Sequence, residues 1–135
     1  MRHVLVVDDH DDARELLALI VGSRGYSVTT AANGREALAE ARRARPDAII
    51  MDLFMPEMDG FEASRLIKAD PALASIPILA YTARPSLSDA DMSAFAAFCI
   101  KPCPPGALLA TLEEVLGRSP AETPVPRIRH GQQDE

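Results

Sequence analysis

Five polar residues follow directly on short apolar runs. Asp8 and Asp9 come after HVLVV, Asp52 after AIIM, Thr82 after ILAY and Lys101 after AFCI. Taken singly, each has an ordinary explanation. An aspartate after a strand caps the next helix, as Asp9 or Asp11 could here, and a threonine or lysine at a strand end is a solvated loop residue. Gathered at one place they mean something else, because three carboxylates repel one another unless one is protonated or a cation binds among them. Magnesium suits one or two carboxylates with waters and a phosphate oxygen better than a complete protein cage, and manganese can take the same oxygens. A carboxylate can also attack phosphorus to give an acyl phosphate, provided that positive charge neutralises the transferring oxygens. Asp52 is the candidate nucleophile. Asp9 would hold the metal directly and Asp8 through water. Lys101 would pair with a phosphoryl oxygen, Thr82 would donate a hydrogen bond to another, and Ala83 leaves the approach open.

The elements that must position these groups can be read along the chain. His3 to Val7 is a β-branched run, and Asp11 to Arg24 carries Leu16, Leu17, Leu19, Ile20 and Val21 at helical spacing, closed by Gly25. Tyr26 to Ala31 reads as a strand. Asn33 and Glu36 have the spacing of a capping box for a helix that runs to Arg45, before Pro46. Ala48 to Asp52, Ile76 to Tyr81 and Ala97 to Ile100 are further strands. Asp59 to Ala69 and about Ser86 to Ala96 are further helices, and Pro104 and Pro105 open a last one ending near Gly117. Five alternations of apolar strand and amphipathic helix imply an α/β fold, a parallel sheet covered on both faces through right-handed crossovers. Ligands of such sheets sit beyond the carboxyl ends of the strands, where all five polar residues fall.

Composition narrows the function. At 135 residues and 47% hydrophobic content the chain supports one compact core and not two. Residues 1–117 are the expected domain. Residues 118–135, with three prolines, many polar residues and no period, are expected to be a disordered tail. The net charge of −6 argues against direct nucleic-acid binding. Arg42, Arg43 and Arg45 cluster on a helix without interleaved aromatic residues, the pattern of a solvated face. Cys99 and Cys103, with no second pair or histidine cluster beside them, read as buried or partly buried thiols. No segment approaches the roughly 20 apolar residues of a membrane span, and the acidic turn after HVLVV precludes a signal segment, so no membrane insertion is expected. The expected location is the cytoplasm, with the mature chain starting at or near Met1.

VVDD at Val6 to Asp9, DLFMPEMDG at Asp52 to Gly60, YTA at Tyr81 to Ala83 and KP at Lys101-Pro102 resemble the receiver domain of two-component response regulators, from about Arg2 to Gly117 and in the family's order. The resemblance implies a doubly wound, flavodoxin-like sheet of five parallel strands in the order 2-1-3-4-5 with five flanking helices. It also implies that a sensor histidine kinase or a histidine phosphotransfer protein delivers a phosphoryl group from phosphohistidine to Asp52 with Mg2+, after which contacts with a downstream protein change. It makes the backbone carbonyl of Phe54 a metal ligand, the Lys101-Pro102 bond often cis, and Thr82 and Phe98 the switch pair. Phe98 then either packs into space vacated by Thr82 or is a static core residue. Phe54 and Arg84 border the path of hydrolytic water in the family, so Phe54 either shields the acyl phosphate or is simply exposed. Gly60 is expected to give the chain conformational freedom where the third helix begins.

This points to a phosphoacceptor module of a two-component system or phosphorelay. It is not an enzyme with turnover, although self-phosphorylation and self-dephosphorylation at Asp52 are expected. A receiver fragment of a larger transcription factor or hybrid kinase is the alternative reading. An aspartyl-phosphate phosphatase would need a second aspartate two residues after the nucleophile, where Phe54 stands. A flavin module would want backbone amides and hydroxyls where Asp8 and Asp9 lie.

Overall fold

The computed structural model describes residues 2–55, 58–83 and 95–117, and the backbone of 127–130. The chain runs β1 (His3–Val7), α1 (Asp11–Gly22), β2 (Ser27–Ala31), α2 (Gly34–Ala44), β3 (Ala48–Met51), α3 (Gly60–Ala69), β4 (Ile78–Thr82), β5 (Ala97–Ile100), α4 (Pro105–Leu116) and β6 (Arg127–His130). All strand pairs are parallel, in the order β2-β1-β3-β4-β5-β6. The first five strands therefore take the expected 2-1-3-4-5 order. The helix expected over about Ser86 to Ala96 lies, in its residues 86–94, outside the described residues. The last expected helix is α4.

Strand side chains alternate between two cores, which is why the strands read as unbroken apolar runs. Leu5, Val7, Ile49, Met51, Ile78, Ala80 and Phe98 face α2 and α3. Val4, Val6, Ala48, Ile50, Leu79, Ala97 and Cys99 face Leu17 and Val21 of α1 and Leu108, Leu112 and Val115 of α4. Cys99 and Cys103 are buried thiols without a disulfide, as the composition suggests. Arg43 pairs with Glu40 at 2.7 Å and Arg42 with Asp70 at 3.4 Å, so the arginine cluster is a solvated face.

Local chemistry sets the helix ends. The Asn33 side chain accepts from the Glu36 amide at 2.8 Å, while the Glu36 carboxylate reaches back to the Ala32 amide at 2.9 Å. Asp59 caps α3 by accepting from the Glu62 amide at 3.0 Å. α1 ends at Gly22, two residues before the expected Arg24, because Ser23 closes it and Gly25 turns the chain at φ 89°.

Of the expected tail, residues 118–126 and 131–135 lie outside the described residues, and the four between them form a strand. Arg127–His130 pairs with β5 from Ala97↔Arg127 to Ile100↔His130 and makes the sheet six-stranded. Without it β5 would be an edge strand with a row of unpaired backbone groups. A four-residue strand is too short to show a period inside a proline-rich stretch.

Candidate functional site

The backbone first fixes where the acids stand. The Asp8 amide donates to the Ala31 carbonyl at 3.2 Å and the Asp52 amide to the Val7 carbonyl at 3.0 Å, so both are held one residue past their strands. Apolar neighbours on both sheet faces then bury them. Asp8 is fully buried, Asp52 is 5% exposed, and Thr82, the last residue of β4, is fully buried.

Lys101 is the charge that faces them. Its Nζ lies 3.6 Å from Asp8 Oδ2 and 3.5 Å from Asp52 Oδ2. Its amide donates to the Thr82 carbonyl at 2.8 Å, tying the ends of β4 and β5, and its ammonium sits 4.9 Å from the centroid of the Tyr81 ring. The Lys101-Pro102 bond is cis. Asp52 Oδ1 accepts from the Phe54 amide at 3.2 Å, which orients the carboxylate with its other oxygen toward Lys101. Burial raises the Asp52 pKa above the ordinary carboxylate range. Lys101 and the Phe54 amide work against that rise, and the Asp8 and Asp9 charges add to it.

The donor set fits a hard cation. Asp8, Asp9, His10 and Asp52 each offer a ligand atom, and these atoms all lie within 4.8 Å of one another. Asp8 Oδ2 and Asp9 Oδ1 are buried without a hydrogen bond, an arrangement that costs free energy unless something binds there. Neither Asp9 nor Asp11 caps α1. The N-cap is His10, whose side chain makes no capping bond, and Asp11 pairs instead with Arg14 at 2.6 Å. Arg14 also donates to the Asp8 carbonyl at 2.9 Å, bracing the loop that carries the acids.

Two features escaped sequence reasoning. His10 belongs to the acidic cluster, with Nδ1 3.3 Å from both Asp8 Oδ1 and Asp9 Oδ1. The four phenylalanines of the chain form one row of edge-to-face contacts: Phe54 to Phe61 at 5.7 Å, Phe61 to Phe95 at 6.2 Å and Phe95 to Phe98 at 5.3 Å. Phe98, 1% exposed, closes the row in the core, and Phe54, 41% exposed, opens it beside Asp52. Gly60 has a different role from the expected conformational freedom. A Cβ there would press on the Asp52 carbonyl oxygen and come within 2.8 Å of Leu53 Cα, so close backbone approach requires the glycine. Arg84 lies outside the described residues.

The comparisons with known proteins agree with this geometry. Residues 4–113 match the family model of the response regulator receiver domain. The chain is 32% identical over 119 residues to the polar-differentiation response regulator DivK of Brucella anthropi, covering 86% of this chain and 97% of that protein. It is 43% identical over 86 residues to the response regulator MprA of Mycolicibacterium vanbaalenii, but spans only 36% of that protein's length. Among solved structures, the chemotaxis response regulator CheY4 of Vibrio cholerae matches with a TM-score of 0.79 at 39% identity, covering 85% of this chain and 98% of that one. A family match across most of the chain, on a sheet of the same order, makes this chain a member of the response regulator receiver domain family.

Proposed function

We propose that this receiver accepts a phosphoryl group from phosphohistidine onto Asp52 and signals the change through protein contacts. The observation that carries the reading is the Asp52 carboxylate, buried and oriented by the Phe54 amide, with Lys101 Nζ 3.5 Å from its second oxygen. Burial strips water from the carboxylate and makes its ionised form the stronger nucleophile, while Lys101 opposes the rise in pKa that burial causes. Asp52 oxygen forms the new bond to phosphorus as the P–N bond breaks, and the nitrogen electron pair stays on the departing imidazole. Lys101 then turns its ammonium to a phosphoryl oxygen, and the Thr82 hydroxyl at the end of β4 donates to another. Asp9, Asp52 and the Phe54 carbonyl would hold Mg2+ or Mn2+, with Asp8 acting through water, and the bound cation would neutralise charge on the transferring oxygens.

Movement of Thr82 toward the phosphoryl group would alter the packing of Phe98, whose β5 residue pairs with Ala80 of β4. The donor in this reading is a sensor histidine kinase or a histidine phosphotransfer protein, and the output is a downstream protein. Self-phosphorylation by small phosphodonors and slow self-dephosphorylation belong to the same reading. The two buried thiols without a disulfide support a cytoplasmic setting. Among the described residues, no helix is long and apolar enough to cross a membrane.

A second reading, a receiver within a longer transcription factor or hybrid kinase, is favoured by the 36% of MprA that the chain spans. The test of the main reading is intact mass after incubation with magnesium and acetyl phosphate. The wild type should gain one phosphoryl group and Asp52→Asn none. Equal gain in both, or none in either although both are folded and metal-bound, would overturn it.

A further inference from the structure

We propose that His10 is a nitrogen ligand of the acidic site, making this receiver's metal preference lean toward a divalent first-row transition-metal ion over magnesium. The inference rests on the metal-dependent reading above and adds a donor of a different class.

Three observations carry it. His10 Nδ1 lies 3.3 Å from Asp8 Oδ1 and 3.3 Å from Asp9 Oδ1. Neighbouring corners of an octahedron with bonds of about 2.1 Å are roughly 3 Å apart, so His10 Nδ1 and Asp9 Oδ1 already stand at the separation of ligands sharing one ion, with Asp8 at the distance of a partner acting through water. His10 is also the N-cap residue of α1, yet its imidazole makes no capping bond and turns to the carboxylates instead. Finally, Asp8 is fully buried, and neither its Oδ2, which faces the Lys101 ammonium at 3.6 Å, nor Asp9 Oδ1 accepts a hydrogen bond, so lone pairs beside the imidazole stay open to a cation. The helix start holds the ring in place, because the His10 amide donates to Asp8 Oδ1 at 2.9 Å.

The chemistry of the donor set then sets the preference. Carboxylate and carbonyl oxygens alone suit magnesium, calcium and manganese, whereas imidazole suits later first-row ions such as zinc, iron or nickel. Adding one imidazole to three carboxylates raises affinity along the transition series and does little for magnesium, which keeps its waters.

Calorimetric titration of the full chain with Mg2+, Mn2+ and Co2+ tests this, alongside His10→Ala and His10→Asn. His10→Ala should lose at least about tenfold in Co2+ affinity and leave Mg2+ affinity within about twofold. His10→Asn, which retains a polar group beside Asp8, should behave like His10→Ala toward Co2+. Pulsed electron paramagnetic resonance of the Mn2+-loaded wild type should show a directly bound nitrogen that both variants lack. Equal losses for Mg2+ and Co2+, full rescue by asparagine, or no nitrogen coupling in the wild type would reduce His10 to a hydrogen-bonding neighbour and overturn the inference. These readouts need no phosphoryl transfer. A nitrogen-bound metal on a protein that never gains a phosphoryl group would refute the proposed function and leave this inference standing, whereas failure of any metal to bind would sink it.

Discussion

Replacing Asp52 by asparagine should stabilise the metal-free protein while abolishing its chemistry. The magnitude follows from the geometry. Ligand atoms of Asp8 and Asp9 lie within 4.8 Å of that of Asp52, so at an effective dielectric of about 20 each repels the Asp52 charge by about 3.5 kcal/mol or more. Lys101 at 3.5 Å attracts it by about 4.7 kcal/mol on the same scale. The two repulsions outweigh the single attraction by about 2 kcal/mol, before the cost of burying the carboxylate is added. Partial exposure of Asp9 and Lys101 screens the one repulsion and the one attraction they make and leaves the buried Asp8–Asp52 repulsion, so a net of about 1–2 kcal/mol is a conservative figure. At roughly 4 °C per kcal/mol for a domain of this size, Asp52→Asn should melt about 4–8 °C above the wild type in chelator-treated buffer.

The pH dependence has a definite sign. Burial raises the folded-state pKa of Asp52 above its unfolded value, so the native state holds the proton more tightly. Its contribution to stability is therefore present at low pH and lost as pH rises from about 4 through the raised folded value. The advantage of Asp52→Asn should accordingly shrink toward acid pH, where both side chains are neutral. Saturating Mg2+ should also narrow the gap, because the ion binds the folded wild type more tightly than the variant. Calorimetric melts across pH, with and without Mg2+, check each part. A variant less stable than wild type at neutral pH without metal, or an advantage that persists unchanged at pH 4, would refute the electrostatic reasoning.

Three further outcomes are expected. Gly60→Ala should cost about 1–3 kcal/mol in urea unfolding and slow phosphoryl uptake at Asp52, since the new methyl pushes on the Asp52 carbonyl and Leu53 backbone. Phe54→Ala should shorten the lifetime of the phosphorylated form several-fold if the partly exposed ring, two residues from Asp52 and braced edge-on by Phe61, shields the acyl phosphate from water; equal decay rates in a mass-spectrometric time course would contradict this. Fluorine-labelled Phe98 should change its magnetic resonance spectrum when beryllium fluoride and Mg2+ are added to the wild type and stay fixed in Asp52→Asn. A constant spectrum in both would make Phe98 a static member of the phenylalanine row.

The sheet and most of the site were legible because both depend on local chemistry. A parallel strand buried on both faces must be apolar throughout, so a polar residue after such a run marks its carboxyl end, and Asp8, Asp52 and Lys101 do fall there. Caps with side-chain partners three residues away, such as Asn33 with Glu36 and Asp59 with Glu62, are equally local. What stayed hidden depends on the exact course of a turn or on contacts across the fold. His10 looks like a loop residue until the turn after β1 brings its ring back to Asp8 and Asp9. Phe54, Phe61, Phe95 and Phe98 have no common period, and only the contact of Phe61 in α3 with Phe95, just ahead of β5, joins them into a row. The need for glycine at position 60 comes from the Asp52 carbonyl, eight residues away, and β6 is recognisable only through its pairing with β5.

Borohydride reduction shows whether the phosphoryl group resides on Asp52. An acyl phosphate on aspartate is reduced to the alcohol, so peptide mass mapping after phosphorylation with a phosphohistidine donor reads the modified position from the covalent chemistry. Homoserine is expected at position 52 in the phosphorylated wild type, with Asp8, Asp9 and Asp59 unmodified. Reduction at any of those other aspartates with Asp52 intact, or a phosphoryl group that borohydride leaves untouched, would contradict it.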